Sequence, residues 1–443
     1  MLDIKFIRDN VDLVKQGAVD KHIACDVDRL IEVDRTRREL QVELEKLRGE
    51  VKESGQRVGL LRNAKSDWYR KAIADGQSEA DIQAEANRVQ AELAGIKPRI
   101  KELEDSEVPI IEEFERLMLT IPQPPEPTAP RGKDESENVE LRKVGEPRHF
   151  EFEPKDHVAL GSDLGIIDIE RGVKLAGSRN YILRGDGALL HQAVLRLAQD
   201  MMVQRGFTPM VVPVLVRAEV MYGTGYFPTG RDQAYLCERD NMSLVGTAEV
   251  PLTAYHTDEI LSEADLPIKL CATSPCFRRE AGAAGKDTYG LYRIHLFDKV
   301  EQVVVCRNDL EESKRFHAEI LQNAEDVMQA IGLPYRVVEV CTGDLGMGQV
   351  QKFDIETWMP SRMSYGETHS ASRFHEFQAR RLMLRYRDGA KKVRYAHTLN
   401  NTVIASPRIL IPILELYQNA DGTVTIPEAL RPYMGGKERV ERR

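Results

Sequence analysis

The chain has no apolar run near the roughly 20 residues that a membrane-crossing helix requires, so nothing in it predicts a membrane span. Its opening residues, MLDIKFIRDN, lack the basic and then apolar order of a secretory signal. The six cysteines (25, 237, 271, 276, 306 and 341) include no CxxC pair. That removes the usual spacing of a structural zinc site; no zinc is expected, and free thiols in a reducing cytoplasm are. No GxxxxGK(S/T) loop occurs and no GxGxxG follows a strand, which leaves neither a P-loop nor a Rossmann phosphate site. No internal repeat is visible. The formal net charge of −9 argues against a surface that binds polyanions throughout, while leaving room for a local basic site.

What is present is a chain of 443 residues, 42% hydrophobic and 30% charged, long enough for two or three domains. Residues 1–120 read as helical. Leu30, Val33, Leu40, Leu44, Leu47 and Val51 recur at steps of three and four, the pattern of a narrow apolar seam. The seam fades at Gly55, Gly59 and residues 63–76, where the chain should turn, and resumes as Ile82, Ala86, Val89, Leu93, Ile96, Ile100 and Leu103. Two long helices paired antiparallel over about 27–118 are the expectation, with Pro98 and Pro109 kinking the second or ending it early. Residues 35–72 carry 11 Lys or Arg against 6 Asp or Glu, whereas residues 78–120 carry 5 against 11. The basic limb could meet a phosphate backbone, but composition alone favours ion pairs between the limbs.

Residues 121–138, proline-rich and then polar, mark a linker placed at 121–145. The rest, 146–443, alternates strand and helix patterns irregularly. Strands are expected at 207–216, 243–246, 267–280, 291–306, 335–341, 352–359 and 392–405, and helices at 189–204, 249–258, 308–331 and 408–418. Hairpin-joined strands with helices grouped around them predict an α+β domain. Pro209 and Pro213 put the 207–216 strand at an edge or interface.

Residues 277–301, FRREAGAAGKDTYGLYRIHLFDKVE, are the most informative stretch. They predict an antiparallel hairpin in which Arg293, His295, Phe297, Lys299 and Glu301 share one parity and Arg278 and Glu280 another common face. Such a surface can hold an anion, an aromatic ring and an ammonium group side by side. The bland alternative is an amphipathic strand with a solvated face. Two arginines, a phenylalanine and two glutamates on one face count against it. Three shorter segments could complete a site. Thr247-Ala248-Glu249 opens a helix with free backbone N–H groups. Glu367-Thr368-His369-Ser370 offers a carboxylate and a hydroxyl suited to Mg2+. Asn400-Asn401-Thr402 closes a strand before Ser406-Pro407-Arg408, where proline starts a helix whose first turn carries the arginine. Each segment alone is common.

In combination these segments resemble the class II aminoacyl-tRNA synthetases, and among them the bacterial seryl-tRNA synthetase family. Motif 2 is similar to Phe277-Arg278-Arg279-Glu280 with Arg293 and Phe297. Motif 3 is similar to 399–418, with Arg408 as the class arginine, and motif 1 to about 207–216 with Pro213. FQARR (377–381) and IPEALRPYMGG (426–436) also resemble the seryl family. The resemblance implies an antiparallel-sheet catalytic domain over 146–443 and a coiled-coil arm over 1–120. It implies ATP-dependent ligation of L-serine to tRNA(Ser) through a seryl-adenylate, with tRNA(Sec) a further candidate substrate. Arg278 would clamp the α-phosphate and the serine carboxylate, Glu280 would read the adenine amino group, and Phe297 would stack on the ring. Arg293 and Arg408 would meet the outer phosphates. Arg279, Ile294, Thr368 and His369 would complete the ATP set, and Glu367 and Ser370 would hold Mg2+. Thr247, Ala248, Glu249, Arg278, Glu301, Asn400 and Thr402 would bind serine. Arg35, Arg38, Lys46, Lys52, Arg57 and Arg62 would touch tRNA. A cytoplasmic homodimer without a membrane partner is implied too.

Three positions depart from the commonest family pattern: Leu296 between His295 and Phe297, Asn401-Thr402 in motif 3, and Arg373, where asparagine is frequent near the Mg2+ segment. Threonine keeps the hydroxyl at 402, and Leu296 belongs to the apolar parity. A relative that loads serine onto a carrier tends to lack the arm. A non-catalytic paralogue would have lost Arg278, Glu280, Glu301 or Arg408; all four are present.

Overall fold

The computed structural model describes residues 1–282 and 288–442. They form two compact units, Cys25–Ile121 and a body made of Met1–Ala24 with Pro122–Arg443. The helical region expected over 1–120 is therefore divided. Helices α1 (Ile4–Asp9) and α2 (Val11–Asp20) belong to the body. Buried Lys21, just after α2, donates from Nζ to the carbonyls of Gly346 at 3.0 Å, Met347 at 3.3 Å and Gln349. The apolar seam starts only beyond that point, which is why it could not report this grouping.

In the arm, α3 (Val27–Arg62) and α5 (Glu79–Thr120) bury Leu30, Val33, Leu44 and Leu61 on one helix and Ile82, Ala86, Val89 and Leu103 on the other. Arg29 reaches Glu113 at 2.8 Å and Arg99 reaches Glu43 at 3.1 Å, pairings that only antiparallel helices allow. The turn between them contains a further helix, α4 (Asp67–Ala74), capped by Ser66 accepting from the N–H of Tyr69. α5 does not end at its prolines. It continues through Pro98 and Pro109, both on its exposed side, where water can satisfy the carbonyls they leave without donors.

The body is built on an eight-stranded sheet: β1 (Val139–Val144), β2 (Thr208–Met210), β3 (Ile268–Phe277), β4 (Leu296–Cys306), β5 (Tyr335–Glu339), β6 (Gln351–Met359), β7 (Ser364–Arg373) and β8 (His397–Ser406), in the order β1-β5-β6-β7-β8-β4-β3-β2. All neighbours are antiparallel except β2, which runs parallel to β3. β1 lies inside the stretch expected as linker. It is an edge strand whose residues are nearly all exposed, so no alternation of apolar residues announced it. The 207–216 strand breaks before Pro213 into β2 and a separate short strand, Leu215–Arg217.

Helices cover one face of the sheet. α6 (Asp186–Gln204) contributes Leu190, Ala193, Val194 and Ala198, and α7 (Leu310–Ile331) contributes Phe316, Ile320, Ala324 and Val327. These pack with Val300, Val304, Ile355, Leu399 and Val403 in one core. Each Val, Leu, Ile or Phe side chain among them contributes about 1.5–3 kcal/mol when fully buried. Asp309 caps α7 by accepting from the N–H of Glu312 at 2.8 Å, and Gly332 closes it with φ 78°. On β4, Val300 and Val304 face the helices, so Phe297, Lys299 and Glu301 face the other way.

Candidate active site

The hairpin is shorter than its sequence suggests. β3 stops at Phe277 and β4 begins at Leu296. Arg278 and Glu280, and Arg293 and His295, therefore lie beyond the strands, and only Phe297, Lys299 and Glu301 keep the expected strand parity. The ends of the hairpin stay tied by Arg278 N–H donating to His295 O at 2.9 Å, with His295 Nδ1 2.9 Å from Arg278 O. Glu280 takes a left-handed φ of 49°, rare outside glycine. Arg179 donates to its carbonyl at 2.7 Å and Arg293 to its carboxylate at 3.2 Å. Gln233 then grips Ala281, its amide donating to the carbonyl and accepting from the N–H at 3.0 Å each. Of the expected motif 2 loop, residues 283–287 lie outside the described residues.

Arg278, Glu280, Arg293, Glu367 and Arg408 line a cavity of about 870 Å3, walled on one side by Tyr226 and Gln233. A recess that shares Arg278, Glu280, Glu367 and Arg408 is lined also by Ile294, Phe297, Lys299, Thr368 and Thr402. The Arg278 guanidinium sits 5.1 Å over the Phe297 ring. Arg408 lies 4.5 Å over Tyr292 and donates to the carbonyls of Tyr292 and Glu367 at 3.1 Å each. Arg362 lies over the same ring at 4.2 Å.

Deeper in, Thr247, Lys299, Glu301, Asn400 and Thr402 are all buried. Thr247 Oγ1 donates to Glu301 at 3.3 Å and accepts from the N–H of Glu249 at 3.1 Å. Lys299 is ion-paired with Glu301. Burial, and after it the neighbouring Glu301, pushes the Glu249 carboxyl up to about 7, although Gln378 donates to it at 2.8 Å.

Glu367 and Ser370 would face opposite sides of a regular strand. They do not, because the β6–β7 register skips Thr368: Ser370 pairs with Asp354 and Glu367 with Glu356, two residues that share a face. Burial pushes the Asp354 carboxyl up to about 7, and Glu367 adds to the rise while Lys352 opposes it. Burial would raise Glu367 as well, but Arg408, Lys352 and Arg278 hold its carboxyl below the usual range. Among the described residues no group of three or more His, Cys, Asp or Glu is placed to hold a metal ion. Two carboxylates and a hydroxyl on one face nevertheless match the sparse protein contribution that Mg2+ takes beside phosphates.

Some expected residues stand elsewhere. Arg279 is exposed and bonds to Asp232 O at 3.2 Å. The His369 ring is buried beside Thr368 at 2.8 Å, and burial lowers its pKa to about 3. Ala248 packs among Leu252, Leu270 and Val303, so only its backbone could serve a ligand. Arg373 is wholly buried, donating to Glu126 at 2.8 Å and Gln351 at 3.0 Å. His375 and Arg373 hold the Glu126 carboxyl down to about 2. Sequence reasoning gave no role to Lys299, Tyr226, Tyr292 or Gln378; Lys299 alone had a signal, its parity with Phe297 and Glu301. Ser406, His191 and Asp298 form a chain at 2.9 and 3.0 Å with the residue types of a hydrolytic triad. Ser406 is fully buried, so this chain ties β4 to β8 and offers no nucleophile.

An antiparallel sheet with arginines from a strand–loop–strand segment and from the turn ahead of a helix, converging on one cavity, defines the class II aminoacyl-tRNA synthetase core. The family model "tRNA synthetase class II core domain (G, H, P, S and T)" matches residues 235–417, and "Seryl-tRNA synthetase N-terminal domain" matches 1–125. A serine–tRNA ligase of Deinococcus radiodurans is 45% identical over 438 residues, covering 99% of this chain and 98% of the relative. The seryl-tRNA synthetase of Pyrococcus horikoshii, solved with ATP, is 36% identical with TM-score 0.86 and full coverage of both chains. That of Naegleria fowleri, solved with AMP, is 29% identical with TM-score 0.85, covering 100% of this chain and 99% of the other. The chain belongs to the seryl-tRNA synthetase family.

Proposed function

We propose that this protein uses ATP to activate L-serine and transfers the seryl group to tRNA(Ser). The observation that carries the reading is a cavity lined by Arg278, Glu280, Glu367 and Arg408, with an adjoining recess that shares these four and adds Phe297, Thr402 and Lys299, the ion-pair partner of buried Glu301. Glu280, held in its left-handed conformation, reads the adenine amino group. Phe297 gives up its contact with Arg278 and stacks on the ring, and Arg278 turns to the α-phosphate and the serine carboxylate. Arg293 and Arg408 neutralise the outer phosphates. The serine carboxylate attacks the α-phosphorus, forming seryl-adenylate and releasing pyrophosphate. The terminal ribose hydroxyl of tRNA then attacks the acyl carbon and AMP leaves. No side-chain nucleophile is required; positioning and fixed charge do the chemistry. Glu367 and Ser370, with Asp354 beside them, would hold Mg2+, which supplies further positive charge at the phosphates. Glu249, Glu301, Thr247 and Thr402 take the ammonium and hydroxyl. A pocket built to pair with a hydroxyl rejects alanine, whose binding would leave buried polar groups unpaired.

The arm is assigned to tRNA. Arg35, Arg38, Lys46, Lys52, Arg57 and Arg62 are all exposed on α3. Arg38 is partly engaged by Asp34 at 3.1 Å, and Arg57 by Glu85. A homodimer is proposed from β2, which ends the sheet, and from the segment after it, where Val211 is fully exposed and Leu215 is 36% exposed. The six cysteines are free, which suits a reducing cytoplasm. The deciding experiment is ATP–pyrophosphate exchange screened across the common amino acids, followed by charging of tRNA(Ser). Exchange with serine alone is expected; exchange that is absent, or equal with alanine or threonine, would reject the reading.

A further inference from the structure

The roles above leave the buried Lys299 ammonium of the recess unused. Lys299 is 6% exposed and Glu301 is 1% exposed. The Lys299 ammonium is ion-paired with Glu301 Oε2 and donates to Thr402 Oγ1 at 3.3 Å. Thr247 Oγ1 donates to that same Glu301 oxygen at 3.3 Å. Lysine thus connects two of the four groups assigned to the substrate ammonium and hydroxyl, and it lines the recess with Thr402, Arg278 and Phe297. Stability is a weak reason for such a pair, since apolar residues of like volume often serve a fold as well as a buried ion pair does.

The charges of the floor show what the lysine does. Glu301 brings a carboxylate and Glu249 a second one above about pH 7, and Lys299 and Arg278 bring two cations. A zwitterionic amino acid with a neutral side chain leaves this balance unchanged. A substrate with an additional ammonium would have to displace Lys299 from Glu301 or be buried without a counter-charge, and either is costly. Without the lysine, Glu301 Oε2 would be open to a cationic side chain of serine size.

We propose that Lys299 is a specificity-determining residue: by occupying Glu301 Oε2 and Thr402 Oγ1 with a cation of its own, it makes the side-chain end of the pocket read a neutral hydroxyl and reject a positively charged β-substituent. The inference rests on the serine-activation reading and adds to it the charge class of the side chain. Its probe is 2,3-diaminopropionate, serine with its hydroxyl replaced by an amine, at a pH where both amino groups are protonated. Exchange kinetics and thermal melting are compared for the full chain, Lys299→Met and Lys299→Gln. The glutamine keeps a donor for Glu301 and Thr402 but removes the charge, and it serves if the methionine variant does not fold.

The ratio of kcat/KM for serine over the diamine should shift toward the diamine by on the order of 100-fold in either variant. The diamine should then raise the melting temperature more than serine does, the reverse of the unmodified protein. A glutamine variant that keeps the original ratio and melting order overturns the proposal, because hydrogen bonding alone would then set the selectivity. Failure of the unmodified protein to activate serine would instead defeat the reading beneath it.

Discussion

The pairs that join the arm's two helices and the pairs buried in the body use the same ionisable residues under opposite conditions. Along the arm, Arg48–Glu104 and Arg99–Glu43 pair at 2.7 and 3.1 Å with every side chain at least 44% exposed. In the body, Lys299–Glu301 and Arg373–Glu126 pair with side chains between 1% and 14% exposed. Water and salt can replace the arm's partners cheaply, and pairs of that kind contribute little to stability. A buried partner cannot be replaced, so each body pair fixes a geometry. The arm's surface is thus free to exchange its own carboxylates for phosphates, and the body's interior is not.

The sharpest way to break this contrast is Arg278→Ala, which removes a half-buried cation from the cavity. Serine-dependent pyrophosphate exchange should fall on the order of 1,000-fold, and near-normal exchange would show that the cavity's charges are as replaceable as the arm's. Next in size is the joint reversal Lys46→Glu/Lys52→Glu. Charging of tRNA should fall about 10- to 100-fold and lose much of its salt sensitivity, with exchange unchanged within about twofold; equal loss of both activities would erase the division between the units. A smaller, graded effect concerns Glu249. Its carboxyl is raised to about 7 by burial and by Glu301, so in the empty pocket it is largely protonated below that pH and cannot attract an ammonium. The KM for serine should rise about tenfold per pH unit below 7 and level off above it. Glu249→Gln should weaken serine binding at high pH and flatten this profile; a KM that worsens as pH rises would contradict the sign. The smallest effect is that of Arg48→Ala/Glu104→Ala, where no resolvable change in melting temperature is expected at physiological salt. A clear drop would mean that exposed arm pairs resist replacement no less than buried ones do.

Much of the site was legible because its groups come in short runs. Arg278 and Glu280, the alternation of Phe297, Lys299 and Glu301, and the Ser-Pro-Arg segment, which forms a turn ahead of the helix Leu410–Tyr417 rather than its first turn, are each contained within a few residues. The arm's seam was legible for the same reason, and α5 exceeded expectation only by passing through two exposed prolines. The edge strand β1 carries too little buried surface to leave a pattern. Arg373 looked like a neighbour of the Mg2+ segment. Its partner Glu126, 247 residues away in the chain, draws it into the interior instead.

By itself the sequence determined the periodicities, and with them two long paired helices, an α+β body and the set of charged residues available to a site. Those follow from neighbours along the chain, whose side-chain directions are fixed by 3.6- and 2-residue repeats. Only the tertiary structure decided that Thr368 is an extra residue in its ladder, so that Glu367 and Ser370 share a face. It also decided that Met1–Ala24 joins the body and that Lys299 closes on Glu301 and Thr402. Such outcomes depend on register and on which distant group excludes water, and those are properties of the packed chain that no short stretch of it encodes.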